Sequence, residues 1–170
     1  MSQRVSIRKT LRNPEQYTDD ALDAVPQAEA KAAWQALRVE YGLRPTTPNL
    51  MPPGATNAKL AKTPNTYGLS LSPHSIAGVG TVCWWAGQCK YPCINTAGQW
   101  AARDHVQTGR IVRTVFLARH PYMFRALLRE EIRRAARRHG PDLFHLRLNV
   151  FSDLLWHEEP WAQVPNLPAT

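Results

Sequence analysis

The chain has 170 residues, 44% of them hydrophobic, and carries a net charge of +8 with a pI near 9.9. That length supports one domain with its own core, no apolar run approaches the roughly 20 residues that a membrane helix needs, and the opening MSQRVSIRKTLRNPEQ has neither the apolar stretch nor the small-residue cleavage site of a secretory signal. A cytoplasmic protein with no membrane partner is therefore expected, and three cysteines without an oxidising compartment argue for free or metal-bound thiols over a disulfide framework.

Residues 1–18 are polar and basic without a clear period and read as a flexible or docked arm. Asp19 and Asp20 offer an N-cap, Pro26 sets the start of an amphipathic helix, and Gly42 stops it. Residues 43–66 hold Pro45, Pro48, Pro52, Pro53 and Pro64 and read as linker or irregular wrapping chain. A division follows, with residues 1–57 as arm, helix and linker and residues 58–170 as the working part.

That part opens with YGLSLSP, residues 67–73, which has the pattern of a short strand. A glycine-containing loop leads into TVCWWAGQCKYPCIN, residues 81–95. A short helix is expected around 98–106. IVRTVFLA, residues 111–118, is β-branched and apolar, a buried strand or a helix start. HPYMFRALLREEIRRAARRHG, residues 120–140, is the clearest helix, with Pro121 at its first position and Gly140 beyond its end. Its apolar stripe is Met123, Phe124, Leu127, Leu128, Ile132 and Ala135, and Glu130 sits four residues before Arg134. LFHLRLNVF, residues 143–151, alternates as a strand. The alternation of strands and helices predicts an α/β fold: a small parallel or mixed sheet, partial-barrel-like, with flanking helices and an N-terminal helical and irregular arm.

Cys83, Cys89 and Cys93 are all the cysteines of the chain and fall within eleven residues, spaced C-x5-C-x3-C. Thiolates this close in sequence can surround one soft metal, with Gly87 and Pro92 supplying turns. A structural zinc ion needs a fourth ligand, for which His74 and His105 are candidates. A [4Fe–4S] cluster on three cysteines leaves one iron open, and Trp84, Trp85 and Tyr91 are placed to shield it. Residue types and spacing leave iron–sulfur and zinc both open.

Arg147, Asn149, Ser152 and Asp153 sit in and beyond the last predicted strand. In α/β sheets ligands gather at the carboxyl ends of strands, which makes them substrate-side or supporting candidates beside the cysteine loop, against the simpler reading of Ser152-Asp153 as a turn cap. Arg125, Arg129, Arg133 and Arg137 recur every four residues on the long helix. They form either a phosphate-binding face or a solvated one. HEEPW, with His157, Glu158 and Glu159, is a minor metal candidate. There is no G-x-S-x-G and no phosphate-binding loop motif.

AKLAKTPNTYGLSLSP, CWWAGQCKYPCINTAG, RTVFLARHPYMFRALLREEI and LRLNVFSDLLW together resemble the phage and plasmid gene-product-88 family over roughly residues 58–160. The resemblance implies a setting in bacterial mobile elements more than an activity. The family's layout is in turn similar to the start of a radical-SAM barrel, where a loop after the first strand carries three cluster cysteines, which makes SAM a conceivable ligand. Here the cysteine spacing differs, no Gly-Gly-Glu segment is present, and a full barrel needs about 200 residues or more. The expectation is a half barrel, a small sheet, or a homo-oligomer that completes itself.

The functional expectation is a metal-binding protein, with an iron–sulfur cluster first and zinc second. A zinc-stabilised nucleic-acid-binding protein and a small interaction protein acting on a host factor are the alternatives.

Overall fold

The computed structural model describes residues 6–45, 49–52, 62–93, 95, 103–140 and 143–162. Among them the fold is mixed α/β and mostly helical, with five α-helices and a two-stranded parallel sheet. A partial barrel is not seen among the described residues.

The arm is docked. Helix α1 (Ile7–Arg12) starts at Ser6, whose hydroxyl accepts from the Arg8 N–H. Ile7 is fully buried and its N–H donates to the Val79 carbonyl at 2.8 Å, fastening the arm to the segment before the cysteine loop. Gly80, at φ +110°, is required there, because a Cβ would meet Ile7 Cγ2 at 3.0 Å. Thr18, rather than Asp19 or Asp20, caps α2 (Asp19–Asp23), its hydroxyl accepting from the Ala21 N–H. Helix α3 (Gln27–Glu40) follows Pro26 and ends before Gly42, at φ +69°, as the sequence predicts.

Residues 111–118 are helical. They belong to α4 (Asp104–Arg119), and their β-branched side chains serve burial: Val112, Thr114, Val115 and Phe116 lie at or near zero exposure between neighbouring helices. The helix expected around 98–106 lies mostly outside the described residues. Helix α5 (Pro121–His139) follows at once, with Pro121 in its first turn and Gly140 at φ +82° beyond it. Its buried face carries Phe124, Leu127, Leu128, Ile132 and Ala135. Glu130 pairs with Arg137 at 3.0 Å in place of the expected Arg134. Trp34 of α3 packs on Phe116 of α4 with ring centroids 5.2 Å apart, and one core draws on both sides of the division at residue 57.

The strands are shorter than predicted. β1 (Thr66–Gly68) and β2 (His145–Arg147) run parallel in the register Thr66–His145, Tyr67–Leu146, Gly68–Arg147. Beyond them the backbones stay together, Leu69 N–H donating to Arg147 O at 2.9 Å and Val150 N–H to Leu69 O at 3.3 Å. Because the pair is parallel, the segments leaving both carboxyl ends emerge on one edge.

Glu131 ties the wrapping chain to α5. Its carboxylate accepts from Leu50 N–H at 2.8 Å and Met51 N–H at 2.9 Å. Burial pushes its pKa up to about 7, against those two N–H groups and the charges of Arg134 and Arg113. A carboxyl whose folded-state pKa is raised favours folding in its protonated form. Its stabilisation is present below pH ~4.5 and is lost as pH rises through about 7. Urea-unfolding midpoints should therefore fall across that window by an amount worth roughly 3 kcal/mol, and Glu131→Gln should flatten the slope.

Candidate metal centre at the sheet edge

The cysteine loop sits where the two parallel strands end, and the segment after β2 holds it. Asp153 is the main fastening: its carboxylate accepts from the Trp84 N–H at 2.7 Å and the Trp85 N–H at 3.0 Å, while its own N–H donates to Val82 O at 3.1 Å. A carboxylate receiving two successive backbone N–H groups is the arrangement of a helix N-cap, applied here to a turn. Asn149 locks the segment behind it. Its carboxamide donates to Leu154 O at 2.8 Å, and its oxygen accepts from Ser152 Oγ at 2.8 Å and Trp156 Nε1 at 3.1 Å. Asn149, Ser152 and Asp153 are thus turn-forming residues that shape the loop's support. Arg147 is exposed on β2. Asp153→Ala should cost about 1–2 kcal/mol in unfolding free energy and speed proteolysis within residues 81–93. Unchanged stability and cleavage would show that the capping geometry does not hold the loop.

The three thiols sit in different surroundings. Cys83 is half-buried, its Sγ accepting from the His74 N–H at 3.3 Å and its thiol donating to Phe151 O at 3.4 Å. Burial pushes its pKa up, the His74 N–H opposes this, and the negative charges of Asp153, Cys93 and Cys89 add to the rise. Cys93 is buried, and its charge is felt by the Arg110 guanidinium of α4. Cys89 is exposed in the 3₁₀ turn Gly87–Lys90.

His74 stands apart from the other histidines. Its backbone is left-handed at φ +37°, a conformation uncommon outside glycine, and its Nε2 is buried with no hydrogen-bond partner among the described residues. A buried imidazole nitrogen without a partner is costly to maintain. His105 lies exposed in the first turn of α4.

A second set of supports was missed from sequence. Asn95, two residues beyond Cys93, is clamped to α4: its Nδ2 donates to Gln107 Oε1 at 2.9 Å, Gln107 Nε2 donates back to Asn95 O at 2.8 Å, and Arg110 Nη1 donates to Asn95 Oδ1. The Arg110 guanidinium also stacks 3.9 Å from the Phe151 ring centroid. Thr114 Oγ1 accepts from the Ser72 N–H at 2.8 Å and anchors the chain leading to His74. The available signal was a polar row, Gln107, Arg110 and Thr114, at helical spacing on an otherwise apolar face.

A model for a family described as gene product 88 matches residues 47–168. The chain belongs to the gene product 88 family. No curated protein and no solved structure matches it. The match takes in both segments of the site of this gene product 88 protein, the cysteine loop and the residues after β2. No described helix is long and apolar enough to cross a membrane.

Several expectations need correction. Trp85 and Tyr91 do not cover the thiols: they are 81% and 71% exposed, and Trp84 is 38% exposed. Arg125 and Arg129 leave the proposed basic face, because both are buried in ion pairs, Arg125 with Glu159 and Arg129 with Asp19 and Asp23. Arg133 lies 3.6–3.8 Å from the same two aspartates, and Arg137 pairs with Glu130. In HEEPW, His157 and Glu158 are exposed while Glu159 turns inward to Arg125.

The donor types fit a soft metal: three thiols on one loop, and a histidine with a buried, unpartnered ring nitrogen among the described residues whose backbone N–H meets Cys83. Their positions are open, since no three His, Cys, Asp or Glu side chains among the described residues are grouped to hold an ion.

Proposed function

We propose that the chain is a metal-binding protein whose centre is the cysteine loop, with Cys83, Cys89 and Cys93 as ligands and an iron–sulfur cluster as the group held. The observation that carries this reading is His74. Its buried Nε2 lacks a partner among the described residues, its backbone is left-handed, and its N–H already serves Cys83. A metal ligand role would give that nitrogen a partner, and a left-handed backbone of this kind gathers at functional sites. The exposed turn at Cys89 supplies the freedom to close the set, with Gly87 at φ +43° as its pivot.

With His74 completing the three cysteines, a bound cluster would supply electron storage. The protein's own residues do the rest. Asp153 and Asn149 fix the loop, the Cys83 thiol must release its proton to ligate, and Arg110 offsets the charge of Cys93. Zinc is the second reading, favoured because three cysteines and one histidine form a closed structural zinc set. A SAM-using activity has its support only in the parallel strand edge and the cysteine loop that follows it.

Anaerobic purification with elemental analysis tests the proposal. Near four iron and four sulfide per chain supports the cluster, about one zinc per chain supports the structural site, and neither in any amount refutes the metal reading.

A further inference from the structure

The exposed side chains of the cysteine loop carry a second feature, besides the thiols. Trp85 is 81% exposed, Tyr91 71% and Trp84 38%, three aromatic side chains within eight residues of chain. Aromatic rings dominate burial energetics, so a fold gains little by leaving three in water on one loop. The backbone of both tryptophans is held in place, because the Asp153 carboxylate accepts from their N–H groups.

Cations interleave with them. The Arg8 guanidinium lies 5.9 Å from the Trp84 ring centroid, and Lys90 Nζ lies 5.0 Å from that of Tyr91. Arg12 is exposed one turn along α1 from Arg8 and so shares its side of the helix. Trp84 and Trp85 border a groove of about 320 Å³ whose apolar walls also include Leu11, Pro14, Leu154 and Leu155. Of its two acids, Glu159 is committed to Arg125 and Glu158 stands exposed at the rim. The Asp153 charge is met by two N–H groups.

We infer that the exposed side of the cysteine loop and the neighbouring α1 bind single-stranded nucleic acid, with bases stacking on Trp85 and Trp84 and further along the loop on Tyr91, and phosphates meeting Arg8, Arg12 and Lys90. A paired duplex hides its base faces, whereas a single strand offers them. The surplus of eight positive charges supplies the long-range attraction. The arginine row of α5 is the weaker site, since two of its four members are buried and the other two lie beside carboxylates.

The test is quenching of tryptophan fluorescence by an oligothymidylate of about 15 nucleotides, titrated at two salt concentrations beside a duplex of equal length. The expected result is salt-sensitive binding at least roughly tenfold tighter for the single strand. Trp85→Ala and Tyr91→Ala should each weaken it about 5- to 100-fold. Arg8→Ala should lower the salt slope by about 0.7, and the Arg133→Ala, Arg137→Ala double variant should bind as wild type. Circular dichroism checks that each variant is folded; both aromatic positions lie mostly in solvent. Absence of binding, equal affinity for the duplex, or binding lost only in the α5 double variant would overturn the inference. So would self-association abolished by Trp85→Ala without any oligonucleotide binding, which would give the face to a second copy of the chain.

Discussion

Glu159→Ala should destabilise the protein by about 3–5 kcal/mol, the largest loss expected from any single charged side chain here. Arg125 is completely buried, and both Glu159 oxygens receive its Nε and Nη2 at 2.6 and 2.5 Å. Its guanidinium lies 3.6 Å from the Tyr17 ring centroid and 5.9 Å from that of Trp156, while Nη1 donates to Pro121 O. Trp161 Nε1 also donates to Glu159. One ion pair thus joins the arm, α5 and the C-terminal 3₁₀ turns. Removing the carboxylate leaves a positive charge packed against aromatic rings without its counter-ion. Replacing the pair together, Arg125→Met with Glu159→Leu, should recover much of the loss, because the main penalty is the uncompensated charge. Urea unfolding of the single and double variants measures both. A single-variant loss below about 1 kcal/mol would show that the pair is hydrated and that the C-terminal turns are loosely attached.

Cys83→Ser should abolish metal retention while leaving the fold in place. Serine can accept from the His74 N–H and donate to Phe151 O as the thiol does, so the metal-free chain should lose only about 1 kcal/mol. As a ligand, by contrast, its loss should exceed the roughly 10- to 100-fold that removal of a supporting partner costs. Cys89→Ser should do the same from an exposed position, where packing cannot be blamed. The Cys83 pKa is raised chiefly by burial, so the proton must be displaced on binding, and metal affinity of the wild type should climb with pH until that thiol ionises. Metal content unchanged in both serine variants would place any bound ion elsewhere.

The parts of the fold legible in the sequence were those set by local rules. The long helix is bounded by Pro121 and Gly140, residues with strong backbone preferences, and its stripe of Phe124, Leu128 and Ile132 has a clean helical period. The parallel pairing of the two short strands also followed from the helices between them. Residues 111–118 were ambiguous because a helix buried on nearly every side has no polar face to reveal its period. The arginines of α5 misled for a related reason: four-residue spacing marks one face, but only the acids brought by α2 and the C-terminal turn decide that Arg125 and Arg129 point inward. At the site, the clustering of Cys83, Cys89 and Cys93 marked the loop that lies where the two parallel strands end. The clamp of Asn95 by Gln107 and Arg110 depends on how α4 packs, which sequence spacing alone does not give.

X-ray absorption at the iron and zinc edges of the anaerobically purified full chain tests the three-thiol centre most directly. A three-thiol centre gives a bound metal whose nearest shell is dominated by sulfur at ~2.3 Å, and loss of that shell in Cys83→Ser. A chain without metal, or one whose metal is surrounded by nitrogen and oxygen alone, would contradict it.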